Sequence, residues 1–241
     1  MRRAAAVTAL LLLAGCTEAA RPAASPSPSA SPSASPAVSP AVSRPPVSSS
    51  APELRLPVVT APVLTGGWEI TVYYTAVEDH HSGEPEQVTG CRGLDCVHGD
   101  DDLGRYKADF VAAVQEEGTG RTAAGTYLNW SYDIGFWLDT RPRDTGGRTL
   151  RPFVSAAADP GVLPRGARFR IAGCGHAEDG SRPAAEVCAA LRDARWTVTD
   201  EFTPGLGGSK HIDAYIGEET GPGFTGSPWY LTLRGATIRR G

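Results

Sequence analysis

The sequence predicts a mainly β fold, a small barrel with few helices, behind an exported and unfolded N-terminal segment. Three observations carry this. Short alternating apolar and polar runs recur from residue 68 onward, only two stretches have helical periodicity, and residues 21–52 offer almost nothing to bury.

The N-terminus comes first. Arg2 and Arg3 precede a short apolar run over residues 4–13, and Leu13-Ala14-Gly15-Cys16 follows. The run is too short for a permanent membrane span and has the three-part order of a signal peptide. Its end resembles the bacterial lipobox, so residues 1–16 are expected to be a signal peptide ending at Cys16, the acylated residue. The implied location is the cell envelope, lipid-anchored on the outer face of the cytoplasmic membrane. Residues 17–65 are expected to form a disordered linker. Positions 21–52 use only Ala, Pro, Ser, Val and Arg, and such a stretch cannot offset the entropy of ordering. Its proline favours extended polyproline II, which would hold a folded domain up to ~100 Å from its anchor.

Residues 66–241 remain as one domain, and they contain all five tryptophans. The formal net charge of −4 becomes more negative once Arg2 and Arg3 are cleaved away. An acidic surface argues against nucleic acid or anionic lipid as the main partner. Cys91, Cys96, Cys174 and Cys188 form an even set in an exported chain, which points to two disulfides. Three connectivities are open, and local pairing, Cys91 with Cys96 and Cys174 with Cys188, is the expected one. Zinc is the alternative, but the C-x4-C and C-x13-C spacings suit it poorly.

Within the domain, residues 68–77 alternate and read as a strand, with Ile70, Val72 and Tyr74 on one face. Residues 79–104 are polar and rich in Gly and Asp, and read as a loop pinned by Cys91 and Cys96. Residues 106–117 place Phe110, Val111 and Val114 at helical spacing, with Gly118 as the stop. Residues 127–139 are unusually aromatic. A short apolar run at 153–157 precedes turns at Asp159-Pro160 and Leu163-Pro164-Arg165-Gly166. Strands are expected at 167–171, 196–200, 212–216 and 229–238, a helix at 183–192, and a Gly/Pro loop at 203–208. No internal repeat is visible. Asp79, His80, His81, His98 and Asp100 to Asp102 read as a solvated acidic loop in preference to a metal site, and neither metal nor cofactor is expected.

Two stretches resemble a known family. Ala157-Ala158-Asp159-Pro160-Gly161-Val162-Leu163-Pro164-Arg165-Gly166 looks like the opening of the 3D, or three-aspartate, domain. Val198-Thr199-Asp200, a glycine-rich loop, and Lys210-His211-Ile212-Asp213-Ala214-Tyr215 resemble its Asp–glycine-loop–Lys–Asp segment. Tyr73-Tyr74-Thr75-Ala76 fits the family's first strand. The three aspartates are then Asp159, Asp200 and Asp213. The resemblance covers about residues 152–238 and implies a six-stranded double-psi β-barrel, similar to that of membrane-bound lytic transglycosylase A. It also implies a protein that engages cell-wall polysaccharide, and a monomer is expected. Asp200 is followed by Glu201-Phe202-Thr203 where the family usually has Thr-Gly. The aromatic, disulfide-bearing insert over 79–140 is not part of the family pattern.

By the same resemblance Asp213 is the candidate general acid/base for cleaving a glycosidic bond in peptidoglycan. Asp200, expected on a neighbouring strand, is its partner and raises its pKa by like-charge repulsion. Lys210, Trp130, Trp137 and Trp229 are candidate substrate contacts, with Tyr132 a further ring able to stack on a sugar. Two alternatives stay open. The aromatics of 127–137 also suit a core, and aspartates at turns and strand ends often only bond backbone amides. A non-catalytic glycan-binding or structural envelope module is therefore the second reading.

Overall fold

The computed structural model describes residues 63–241. The signal-peptide reading, Cys16 and the linker up to residue 62 lie outside the described residues; residues 63–65, expected as the end of the linker, instead open the first strand and pair with residues 238–240. The chain runs β1 (Val63–Val77), β2 (Pro85–Gly90), β3 (Asp101–Lys107), α1 (Ala108–Glu117), β4 (Thr119–Arg121), β5 (Tyr127–Ser131) and β6 (Gly135–Asp139). It continues through β7 (Ser155–Ala157), β8 (Arg168–Gly173), β9 (His176–Ala177), α2 (Ala185–Asp193), β10 (Trp196–Asp200), β11 (His211–Glu218) and β12 (Leu233–Arg240).

Six of these strands close on themselves in the order β1-β11-β7-β10-β8-β12, with β12 returning to pair with β1. Two pairs, β1–β11 and β7–β10, are parallel and the other barrel pairings are antiparallel. This is the double-psi barrel expected from the three-aspartate resemblance. Closure leaves no barrel strand with an unpaired edge. The core is filled by Ile70, Val72, Ile171, Trp196, Val198, Ile212, Ala214, Leu233 and Ile238 of the strands, with Leu191 of α2 packed into the same cluster. Each large aliphatic or aromatic side chain removed from water this way contributes roughly 1.5–3 kcal/mol.

β1 is fifteen residues long because it serves two bodies. Its first part pairs with β11 and β12. Its end, Ala76 and Val77, leaves the barrel and pairs with β4, which begins the sheet β4-β5-β6. Residues 72–77 are therefore buried without a break, covered by the barrel on one side and the insert on the other. α1 packs Phe110, Val111 and Val114 into a second core with Tyr74, Val88, Leu103 and Leu128. It stops at Gly118, whose φ of 82° is the left-handed conformation that ends a helix at low cost only for glycine.

The reading of 79–104 as loop is corrected: β2 and β3 form an antiparallel hairpin there. Few of its side chains face inward, chiefly Val88 and Leu103, so no alternating apolar pattern marked it. The last strand starts at Leu233 and not at Trp229, and residues 224–226 instead form a short 3-10 turn. Both expected disulfides are present, Cys91–Cys96 and Cys174–Cys188.

Candidate functional site

Asp200 ends β10 and Asp213 lies near the start of β11. The expectation that these strands are neighbours is corrected, because β7 runs between them. Both acids are nonetheless level, since each is in register with Ala157 of β7. With strands ~4.8 Å apart, that sets the two backbones ~10 Å from each other. Ala157 is small, so the space between the acids stays open. That space is the floor of a groove of about 410 Å³.

The barrel side of the groove presents Thr71, Tyr73, Ala157, Asp200, His211 and Asp213. The insert presents Glu117, Trp130 and Tyr132, the loop just after it adds Arg143, and the loop after β10 adds Phe202 and Leu206. Tyr132 and Leu206 stand 60% and 67% exposed at its margin. The insert thus builds one wall of the cleft.

The two aspartates have different surroundings. Asp200 is only 8% exposed and is saturated with hydrogen bonds. Its Oδ1 accepts from the Thr145 N–H at 2.9 Å, the Thr145 hydroxyl at 2.7 Å and the Glu201 N–H at 2.9 Å. Its Oδ2 accepts from the Tyr73 hydroxyl at 3.3 Å. Burial pushes the Asp200 carboxyl upward, while Thr145, Glu201 and the nearby Arg165 guanidinium hold it down.

Asp213 is half-buried, and its Oδ1 is shut away from water without a protein partner. Burial raises its pKa to about 7. The Thr71 hydroxyl opposes this by bonding the ionised form, and the Asp200 charge adds to the rise. Thr71 is the cross-strand neighbour of Asp213, and its Oγ1 lies 2.9 Å from His211 Nε2. His211 in turn stacks on Phe202, with ring centres 4.4 Å apart. The hydroxyl that bonds Asp213 is therefore itself held in place.

Arg165, from the Pro-Arg-Gly turn, joins the end of β10 to the loop that follows the insert. It donates to Thr145 Oγ1 at 2.7 Å, to the Thr199 carbonyl, and to Glu201. Asp159 does not line the groove. Its Oδ2 accepts the Gly208 N–H at 2.9 Å and fastens the glycine loop to the β7–β8 turn. A side chain at Gly207 would collide with that carboxylate, so glycine is required there for close approach.

Of the expected substrate contacts, Trp130 lines the groove. Trp137 is corrected: its indole is 0% exposed inside the insert and presents no face to a sugar. Lys210 donates to the Gly66 carbonyl at 2.7 Å and is outside the groove lining. Trp229 packs on Phe153 with ring centres 6.0 Å apart and is also outside it. Tyr73, Thr71, Thr145, Arg165, His211 and Glu117 were not singled out for the site. Strand alternation already put Thr71 and Tyr73 on the face opposite Ile70 and Val72, which is the signal available for those two. Among the described residues no group of His, Cys, Asp and Glu is arranged to hold a metal ion.

Fold and site together define a double-psi barrel with an acid-floored groove. No protein-family model matches the sequence, and no curated protein matches it. Among solved structures, the chain is similar to MltA of Escherichia coli with bound chitohexaose, at 13% identity and a TM-score of 0.48, covering 73% of this chain and 71% of that one. It is similar to a membrane-bound lytic murein transglycosylase from Agrobacterium tumefaciens, at 11% identity and a TM-score of 0.46, covering 74% and 76%. A third is MltA from Neisseria gonorrhoeae, at 9% identity and a TM-score of 0.39, covering 71% and 72%.

Proposed function

We propose that the groove binds a cell-wall glycan strand and cleaves its glycosidic bond, with Asp213 as general acid and then base. The observation that carries this reading is Asp213 itself. It is a carboxyl on a groove floor, with one buried oxygen unpartnered and a pKa raised to about 7. An acid near neutrality is suited to give a proton and take one back. Asp213 donates its proton to the glycosidic oxygen as the bond to the anomeric carbon breaks. The carboxylate left behind takes the proton of the sugar's own C6 hydroxyl as that oxygen closes on the anomeric carbon. The products are a 1,6-anhydro end and a new free hydroxyl, and Asp213 is again protonated. Asp200, fully bonded, supports the site through its charge and its hold on Tyr73 and Thr145. Trp130 and Tyr132 supply ring faces for sugars.

The purified protein incubated with peptidoglycan should release anhydro-muropeptides, read by mass spectrometry. New reducing ends without anhydro products would assign hydrolysis instead. Binding to insoluble wall with neither product, unchanged in Asp213→Asn, would assign a binding module.

The N-terminal residues complete the proposal. Acylation of Cys16 fixes the chain to the outer face of the membrane, and the Pro/Ser-rich linker gives the barrel reach toward the wall.

A further inference from the structure

The groove contains a second buried acid that the mechanism above leaves unused. Glu117 is the last residue of α1, is 7% exposed, and lines the groove with Asp213 and Tyr230. This is a poor place for an anion. A helix C-terminus carries partial negative charge, Glu116 precedes it, and the last turn has no basic residue.

Two contacts give Glu117 a structural role: its Oε2 accepts the Tyr74 N–H at 3.2 Å, where the β1–β11 register shifts, and the Tyr230 hydroxyl bonds its carboxyl. A glutamine would accept that N–H and bond that hydroxyl without bringing a charge, so these contacts alone do not account for an acid. The groups facing the pair come from every wall. They are Tyr73 and Tyr74 of β1, Asp200 of β10, His211 of β11, Glu116 of α1 and Tyr230 before β12. The two nearby cations are engaged elsewhere, Arg143 by Asp139 and Arg165 by Glu201. Burial and the Asp213 charge push the Glu117 carboxyl well above its usual range, against the pull of the Tyr74 N–H and the Tyr230 hydroxyl.

Resting on the reading of the groove as a glycan site, we propose that Glu117 is a further binding residue. It is a carboxylic acid supplied by the insert, and its O–H donates to an oxygen of the sugar chain beside Asp213. The insert then gives the site a chemical group as well as a wall, and the ligand it suits is a neutral, hydroxyl-rich chain.

Carboxyl-carbon NMR titration of the purified protein tests this without relying on turnover. Glu117 is expected to keep its proton at pH 7, and its midpoint is expected to fall in Asp213→Asn. Ionisation of Glu117 at pH 7, or a midpoint unmoved in a folded Asp213→Asn variant, overturns the proposal. Calorimetry with chitohexaose supplies the second readout. Glu117→Gln retains a donor and should bind nearly as wild type, whereas Glu117→Ala should bind roughly 3- to 10-fold more weakly. Undiminished binding by Glu117→Ala overturns the donor role, and if that variant fails to fold the titration decides. A failed titration with intact glycan binding sinks this inference alone. A wild type that binds no chitohexaose sinks the glycan reading, and the donor role with it.

Discussion

Asp200 and Asp213 share a groove, and what separates them is hydrogen bonding. Asp200 has four donors on its two oxygens, while Asp213 has a buried oxygen with none. This difference predicts opposite outcomes for the same substitution. Folded Asp213 keeps its proton up to about 7, whereas in an unfolded chain it would lose it near pH ~4. Its contribution to stability is therefore complete below pH ~4 and is lost as pH rises toward 7. Asp213→Asn removes that loss. The variant should be more stable than wild type at pH 8 by a few kcal/mol, on the order set by the shift, and no more stable at pH 4. Denaturant melts at the two pH values check this. Glycan cleavage by the same variant should fall about 10²- to 10⁴-fold. Asp200→Asn should instead destabilise by about 1–3 kcal/mol, because an amide NH2 would face donors at Thr145 or Tyr73. Its unfolding midpoint in urea should drop at pH 7.

At the level of elements, the insert is braced at several points. Glu219 after β11 accepts the Val77 N–H at 2.6 Å and lies 2.7 Å from His81 Nε2. Thr145, in the loop just after the insert, holds Asp200. α2 depends on a covalent tie, because Cys188 on the helix is bonded to Cys174 after β8, fourteen residues away. Loop closure over that span is worth about 3 kcal/mol. Replacing both cysteines by serine should lower stability by about that much, and the groove lies on other strands, so glycan binding should persist. A thermal melt paired with a wall pull-down separates the two effects. The elements themselves were largely legible. β1, α1, β10 and β11 announced themselves by periodicity, and Gly118 by its place after a helical run. The β2–β3 hairpin did not, because its outward residues are polar on both strands and its inward ones are few.

On the scale of the whole molecule, the proposal joins a barrel, an added wall and a tether. Cys16→Ala should leave barrel and groove intact but move the protein from membrane to soluble fraction, with acyl incorporation lost, as metabolic labelling would show. The sequence by itself pointed to the fold class and to two disulfides, and a resemblance of short motifs supplied the candidate acid. Alternation, cysteine parity and a linear motif are local properties that survive in a string of letters. It did not determine which tryptophan faces a groove, that β7 separates the two aspartates, or that a glutamate 96 residues before Asp213 shares its cleft. Those facts arise only when a closed barrel brings distant strands level and an insert folds over them. Burial, which sets the pKa of Asp213 and removes Trp137 from reach, is a property of that packing and of no single segment.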